Sequence, residues 1–178
     1  MSEIYSAPPK SRCELRVFAQ EIRKFLGLEN EIYIPIVKLL DALTLKLGGK
    51  FDYVVVEDYE LPESVHAISE FTDRCIVKIK QSVYEGAALG NGRDRMTIAH
   101  EISHYFLVEI FGVVLAQTKG NRQVKPYESP EWQAKCLAGE LMMDKTLVGD
   151  LSVYAMAMKC GVSEQAAAFQ YKIFHREV

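Results

Sequence analysis

The sequence predicts an α+β fold in which two helices, a small three-stranded sheet and four further helices follow one another. Apolar residues recur at helical spacing near the start of the chain. Short runs rich in β-branched and aromatic residues follow between positions 51 and 80, and helical periodicity with capping residues returns after position 92. A length of 178 residues with 49% hydrophobic residues suits one domain with a sizeable core, in which the sheet packs on a helical bundle.

Two helices are predicted ahead of the sheet. The first begins at Ser11, and Gly27 suits its C-terminal cap. The second spans residues 35–47, because Pro35 fits a first helical turn and Gly48 and Gly49 end the apolar pattern. The apolar residues that give the first helix its periodicity are Leu15, Phe18, Ile22 and Phe25.

Three strands are predicted next, at residues 51–57, 65–71 and 75–80, with a turn at residues 72–74 between the last two. The third strand alternates lysines with apolar residues, which suits a strand with one wet face. Because lysines commonly guard an exposed edge, Lys78 and Lys80 predict that this strand lies at the edge of the sheet.

The later helices are marked mainly by capping residues. A glycine-rich stretch (Gly86, Gly90 and Gly92) is interpreted as a flexible approach to a helix at residues 93–111, which should stop at Gly112. A polar loop at 117–130 leads to Ser129 and Pro130, which begin a helix that reaches about Leu147. Two short helices follow, divided at residues 161–163.

Composition and charge restrict the classes of protein to which the chain is expected to belong. The net charge of -3 implies no global attraction to nucleic acid. No apolar signal region begins the chain and no stretch is long enough to span a bilayer, so we expect a cytoplasmic protein. The cysteines form no CxxC pair and are expected to be buried free thiols: Cys13, Cys75, Cys136 and Cys160. Residues 1–10 are expected to be a flexible tail, 11–150 the core of a single domain, and 151–178 a C-terminal helix pair.

Residues 100–104 read HExxH, which on a helix is a pattern typical of zinc peptidases. Histidines four residues apart share one helix face, so His100 and His104 can both reach one zinc ion at about 2.0–2.1 Å. Glu101 can then act as general base towards the zinc-bound water, whose pKa falls to about 7. Chance alone gives this pattern on the order of once in a hundred such chains.

A catalytic zinc site needs a third protein ligand. His66 and His175 lie at the wrong spacing for a third histidine. Glu131 is a candidate because it lies in the first turn of its helix, where the helix dipole favours a carboxylate. Glu140, in the same helix, is the rival, and the helical repeat puts it two and a half turns on, about 180° from Glu131. The two should therefore not both face the metal.

Three segments resemble the ImmA/IrrE family of zinc metallopeptidases. Residues 95–104, RMTIAHEISH, are similar to its RFTLAHELGH signature, and residues 131–143, EWQAKCLAGELMM, to its ExxANxFAAELLM signature. Residues 157–163, AMKCGVS, are similar to its AxxxxVS helix pair. The resemblance implies that His100, His104 and Glu131 bind zinc and that Glu101 is catalytic. It also implies a substrate that is a helix-turn-helix repressor of a mobile element or a stress response.

The chain departs from the family signatures at Ser103, Lys135 and Asp144, where the family has Gly, Asn and Pro. If that Asn accepts the second N–H of a zinc-binding histidine, Lys135 cannot, because its ammonium group only donates. Glu140 or a backbone carbonyl would then have to support the ligand.

These observations lead to three candidate functions. The first is a zinc endopeptidase that cleaves a protein partner, such as a repressor or an antitoxin-like regulator. The second is a catalytically weak, zinc-containing binding module that sequesters such a regulator without cutting it. The third is a DNA-binding regulator, which the acidic balance and a C-terminal helix poor in Arg, Lys and Asn disfavour. We expect the first, with no direct nucleic-acid or membrane partner and with substrate added as a strand to the edge at residues 75–80.

Overall fold

The protein is described by a computed structural model, which covers residues 5–111, 116–117 and 124–176. The fold is α+β, as predicted, with eight helices and a small mixed sheet among these residues. Helices and strands alternate in blocks along the chain. The helices are α1 (Arg12–Leu26), α2 (Ile36–Lys46), α3 (Gln81–Ala88), α4 (Gly92–Phe111), α5 (Pro130–Met142), α6 (Lys145–Val148), α7 (Val153–Cys160) and α8 (Glu164–Arg176).

Five strands form two sheets within the described residues. They are β1 (Tyr5–Ser6), β2 (Phe51–Val56), β3 (Ala67–Phe71), β4 (Cys75–Lys80) and β5 (Ala116–Gln117). The three-stranded sheet has the order β2-β4-β3, with β4 parallel to β2 and antiparallel to β3. The prediction that residues 75–80 form an edge strand is therefore wrong, because β4 is central and paired on both sides.

The two lysines of β4 have partners that the edge interpretation did not include. Lys78 forms an ion pair with Glu70 on β3 at 2.8 Å, which is a cross-strand pair. Lys80 is buried, and its ammonium group donates to the backbone oxygen of Pro62 at 2.9 Å. Both lysines thus serve contacts inside the sheet and its connecting loop.

Helix α3 was missed by the sequence reading, which took its glycine for a sign of flexibility. Val83 and Ala87 are buried one turn apart and anchor this helix to the core. Gly86 is needed for packing, because a Cβ there would lie 2.0 Å from the carboxylate of Asp94 on α4. Gly92, at the start of α4, likewise touches the backbone of Val162. These glycines permit close contact between elements, so the interpretation as a flexible approach is wrong.

Residues 5–10 are held by hydrogen bonds, and the expectation of a loose tail is wrong for this part of the chain. Ala7 is buried and donates its N–H to the carbonyl of Glu128 at 2.8 Å. Lys10 donates to the carbonyl of Tyr127, and Gln133 on α5 donates its side-chain amide to the carbonyl of Pro8. Residues 1–4 lie outside the described part of the chain.

The caps predicted at Gly27 and Ser129 are confirmed, and Ser11, where the first helix was expected to begin, is its N-cap. Ser11 caps α1 in a capping box with Glu14, Gly27 ends α1 with a positive φ, and Ser129 caps α5. Helix α5 stops at Met142 and not near Leu147, because Asp144 accepts a hydrogen bond from the N–H of Thr146 and caps α6. Six helices therefore follow the sheet, where four were expected. The predicted stop at Gly112 lies outside the described residues.

The core lies between the sheet and the surrounding helices. Phe51, Val77 and Ile79 of the sheet are fully buried, and Phe51 meets Tyr105 of α4 edge to face at 5.1 Å. The C-terminal helix pair joins this body through Gln170 of α8, which donates to Glu140 of α5. Among the described helices, none has the length and apolar character needed to cross a bilayer.

Candidate metal centre

Helix α4 fixes the first two candidate ligands. Its buried residues Ile98, Ala99, Ile102 and Phe106 pack in the core, so the intervening face with His100 and His104 turns towards α5. The two imidazole rings lie 4.6 Å apart in an edge-on arrangement. Both side chains keep some exposure, 20% for His100 and 16% for His104, which leaves room for a ligand from outside.

Helix α5 brings Glu131 onto these two rings. Nε2 of His100 lies 3.3 Å from Oε2 of Glu131, and Nε2 of His104 lies 3.2 Å from Oε1. The two Nε2 atoms are 3.1 Å apart. Glu131 follows Pro130 in the first turn of α5, so the capping signal at Ser129 sets where this carboxylate stands.

These distances fit a tetrahedral zinc ion. Two ligand atoms at about 2.0–2.1 Å from zinc lie about 3.3 Å from each other at a tetrahedral angle. The observed separations of 3.1–3.3 Å match that value closely. Two imidazoles and a carboxylate are a donor set that catalytic zinc uses, and three protein ligands leave a fourth position open. His100, His104 and Glu131 are the one such cluster found among the described residues.

The carboxylate of Glu131 is held in its ionised form. Its hydrogen bonds with His100, and then with His104, keep the pKa of Glu131 far below its usual range. An ionised carboxylate is what a zinc ion requires, because a ligand must be deprotonated to bind. The side chain is nevertheless 64% exposed, so the site opens to solvent on the α5 side.

His100 has an unusual feature on its other nitrogen. Nδ1 is buried and has no hydrogen-bond partner among the described residues. A histidine that binds a metal usually donates this second N–H to an acceptor. Lys135 lies one turn beyond Glu131 on α5, where the family signature has Asn, and its ammonium group could not accept that hydrogen bond.

Glu101 is buried, with 7% exposure, and points towards the sheet. Ser69 of β3 donates its hydroxyl to Oε2 of Glu101 at 2.7 Å. Oε1 has no hydrogen bond within the described part of the chain, so its lone pairs are open to an outside donor. Sequence reasoning did not find Ser69, because only the packing of β3 against α4 brings the two together. A lone serine in a strand carries no signal of such a role.

Glu140 has a different setting from the one proposed for it. Its fully buried carboxylate accepts hydrogen bonds from Arg12 and Arg16 of α1 and from Gln170 of α8. Within the described part of the chain, neither His100 nor His104 is among its partners. The pair of arginines one helical turn apart in α1 was the available sequence signal, because a buried carboxylate needs such partners.

The remaining histidines and cysteines lie apart from this cluster. His66 contacts Arg93, and His175 stacks on Tyr171 with ring centroids 3.9 Å apart. The four cysteines are free thiols, and three are buried as expected, whereas Cys13 is exposed. Burial raises the pKa of the Cys75 thiol to about 12 and that of Cys136 and of Cys160 to about 11, so these groups stay protonated.

Comparison of the chain with protein-family models, curated proteins and solved structures finds no match.

Proposed function

We propose that the protein is a zinc-dependent endopeptidase that cleaves a specific protein partner. The observation that carries the proposal is the cluster of His100, His104 and Glu131, whose ligand atoms lie at zinc-site separations. The buried carboxylate of Glu101 supports it, because Glu101 neighbours His100 in the sequence and stands on the same helix with one oxygen free.

A bound zinc would supply Lewis-acid polarisation of a peptide carbonyl and lower the pKa of a water molecule. The residues of the chain then have separate tasks. His100, His104 and Glu131 hold the metal. Oε1 of Glu101 takes the proton of the attacking water and returns it to the amine that leaves. Ser69 keeps Glu101 in one rotamer by holding Oε2.

The partner is proposed from the sequence resemblance. Members of the ImmA/IrrE family cut or inactivate helix-turn-helix repressors, and the two signatures at residues 95–104 and 131–143 include every residue of the proposed metal site and its base. We propose a repressor or an antitoxin-like regulator as substrate. A gene for a small helix-turn-helix protein beside the gene of this chain would identify the first protein to test.

The second candidate function is a zinc-containing module that binds a regulator without cutting it. The unpartnered Nδ1 of His100 favours this alternative, because a histidine without support on its second nitrogen holds a metal less firmly. Lys135, at the position where the ImmA/IrrE signature has Asn, favours the same alternative, because its ammonium group cannot accept the hydrogen bond of a ligand histidine. Both functions require the same metal ligands and differ in whether Glu101 performs chemistry.

Cleavage of a peptide mixture separates the two functions. Zinc-loaded wild type and Glu101→Gln are incubated with proteome-derived peptides, and new termini are identified by mass spectrometry. We expect new termini with wild type and a loss of about a hundredfold or more in rate with Glu101→Gln, because the substitution removes the base alone. Equal zinc content in the two proteins is the control. Equal cleavage rates would refute the role of Glu101, and no cleavage by wild type would favour the binding module.

A further inference from the structure

A cleft of about 540 Å³ opens beside the proposed metal site. Its walls come mainly from α4, α5 and α8, with Arg12 of α1, and His100 belongs both to the cleft and to the ligand cluster. A volume in this range is typical of small-molecule and side-chain pockets. A chain segment bound at the metal would therefore have this cleft within immediate reach.

The lining is mainly apolar and includes aromatic rings that are open to solvent. Met96 of α4, Trp132 of α5 and Phe169 of α8 surround the opening. Phe169 is 61% exposed, although it is a large apolar side chain. The guanidinium of Arg12 lies 5.8 Å from the ring centres of both Trp132 and Phe169, within range of a cation–π contact with each.

The charged side chains that line the cleft are positive, whereas the net charge of the whole chain is negative. Arg12, Arg93 and Lys135 line it, and none of the described lining residues is Asp or Glu, although the protein carries a net charge of -3. Arg12 is engaged by Glu140, and Arg93 contacts His66. Lys135 is exposed and has no partner among the described residues. Its ammonium group is therefore available to a ligand at the cleft.

We propose that this cleft binds a large apolar side chain of a peptide substrate, such as Leu, and that Lys135 binds an acidic residue next to it. The inference rests on the proposed function, because it takes the peptide to be bound at the metal site that shares His100 with the cleft. The apolar lining explains the first preference and the free ammonium group explains the second. Lys135, at the family Asn position, thereby acquires a role in substrate selection.

The single tryptophan of the chain, Trp132, allows binding to be measured without cleavage. Zinc-loaded full-length Glu101→Gln protein is titrated with capped hexapeptides that lack Trp and Tyr, and Trp132 fluorescence is followed. Three peptides contain Leu-Asp, Leu-Lys or Ala-Asp in an otherwise alanine sequence, and each pair is tested in both orders. We expect the Leu-Asp peptide to bind about tenfold more tightly than Ala-Asp and about fivefold more tightly than Leu-Lys.

Two substitutions test the two preferences in the same Glu101→Gln protein. Lys135→Glu should reverse the order of the Leu-Asp and Leu-Lys peptides, and Phe169→Ala should reduce the difference between Leu-Asp and Ala-Asp. Both positions are exposed, so folding should be preserved. The matched controls on α7 are Lys159→Glu, which makes the same charge change, and Tyr154→Ala, which removes an equally exposed aromatic ring. Zinc content is measured in every variant.

The outcomes for the cleft and for the proposed function can be told apart. Selective binding in the expected order, with no cleavage by wild type, would support the cleft and overturn the peptidase. Cleavage by wild type with no preference at the residues beside the cut, or with preferences that Lys135→Glu and Phe169→Ala leave unchanged, would overturn the cleft alone. Peptide binding that does not alter Trp132 fluorescence, or no binding at all, would also overturn it.

Discussion

Among the described residues, one of the two carboxylate oxygens of Glu101 has a hydrogen-bond donor, which is Ser69. In the proposed mechanism, Ser69 holds Oε2 in place and Oε1 exchanges the proton of the attacking water. Ser69 is not one of the candidate metal ligands, so in the proposed mechanism it acts only through the position of Glu101.

Ser69→Ala should lower kcat about tenfold and leave KM and zinc content unchanged, because the base loses the hydrogen bond that orients it. A tenfold decrease in kcat corresponds to an increase of about 1.4 kcal/mol in the activation barrier. Ser69→Thr keeps a hydroxyl on a strand that accepts β-branched residues and should restore most of the rate. Steady-state kinetics on one cleavable peptide measures both. An alanine variant with the kcat of wild type would remove Ser69 from the mechanism.

Substitutions of Glu131 and of Glu140 should have different effects, the first on zinc affinity and the second on stability. Glu131→Ala should weaken zinc binding by more than the roughly 100-fold loss that marks the upper end for residues behind a ligand. Glu140→Gln should leave zinc affinity nearly unchanged. It should instead lower the unfolding free energy of the zinc-free protein by about 2 kcal/mol, since it weakens charged hydrogen bonds with Arg12 and Arg16.

Zinc competition with a chelating dye and urea unfolding measure these two effects. A larger loss of zinc affinity from Glu140→Gln than from Glu131→Ala would show that the ligands are assigned wrongly.

At the level of elements, β3 takes the position that was expected of β4. It is an edge strand of the described sheet, and Ser69 brings it against α4 and the proposed catalytic glutamate. His66, just before β3, accepts a hydrogen bond from Lys80 through its backbone oxygen. By the alternation of an antiparallel pair, the backbone groups of Ala67 and Ser69 then face away from β4. No described strand pairs with this side of β3, and we propose that an extended substrate does.

Ala67→Pro removes one outward N–H and should raise KM about fivefold with kcat little changed, because one backbone hydrogen bond contributes about 1 kcal/mol. A proline is tolerated on the solvent side of an edge strand, so the fold should persist. Ala67→Val, which keeps the N–H, is the control. Equal KM values for the proline variant and wild type would argue against substrate pairing at β3.

The sequence allowed some elements to be predicted well and others not at all, for physical reasons. The ends of α1 were predictable because Ser11 and Gly27 cap it through local hydrogen bonds. The range of β4 was predictable from its own alternation, but its place in the sheet depends on distant partners, and lysines can pair within a sheet as well as guard an edge. Helix α3 was missed because Gly86 serves a contact with Asp94 that no local pattern reveals.

The candidate metal centre likewise contains residues that sequence patterns indicate and residues that depend on tertiary packing. His100, Glu101 and His104 come from one helical turn and were predictable from their spacing, and Glu131 was chosen from its place after a helix cap. Ser69 and the cleft around Trp132 depend on how β3, α5 and α8 pack, so sequence spacing could not indicate them.

At the scale of the whole molecule, the proposed metal centre links two separate helices. His100 and His104 belong to α4 and Glu131 to α5, and the chain between these helices is only partly described. A zinc ion bound by all three would join the helices directly, so that its binding free energy would also stabilise the fold. Both the proposed chemistry and part of the stability would then depend on the metal.

The most direct test of the central claim is the zinc content of the purified protein. Wild type and His104→Ala are prepared side by side in metal-free buffer after equilibration with zinc, and zinc is determined by elemental analysis. We predict about one zinc per chain for wild type and a small fraction of that for His104→Ala, because two remaining protein ligands do not make a stable zinc site. Equal zinc content in the two proteins, or none in wild type, would contradict the proposed metal centre.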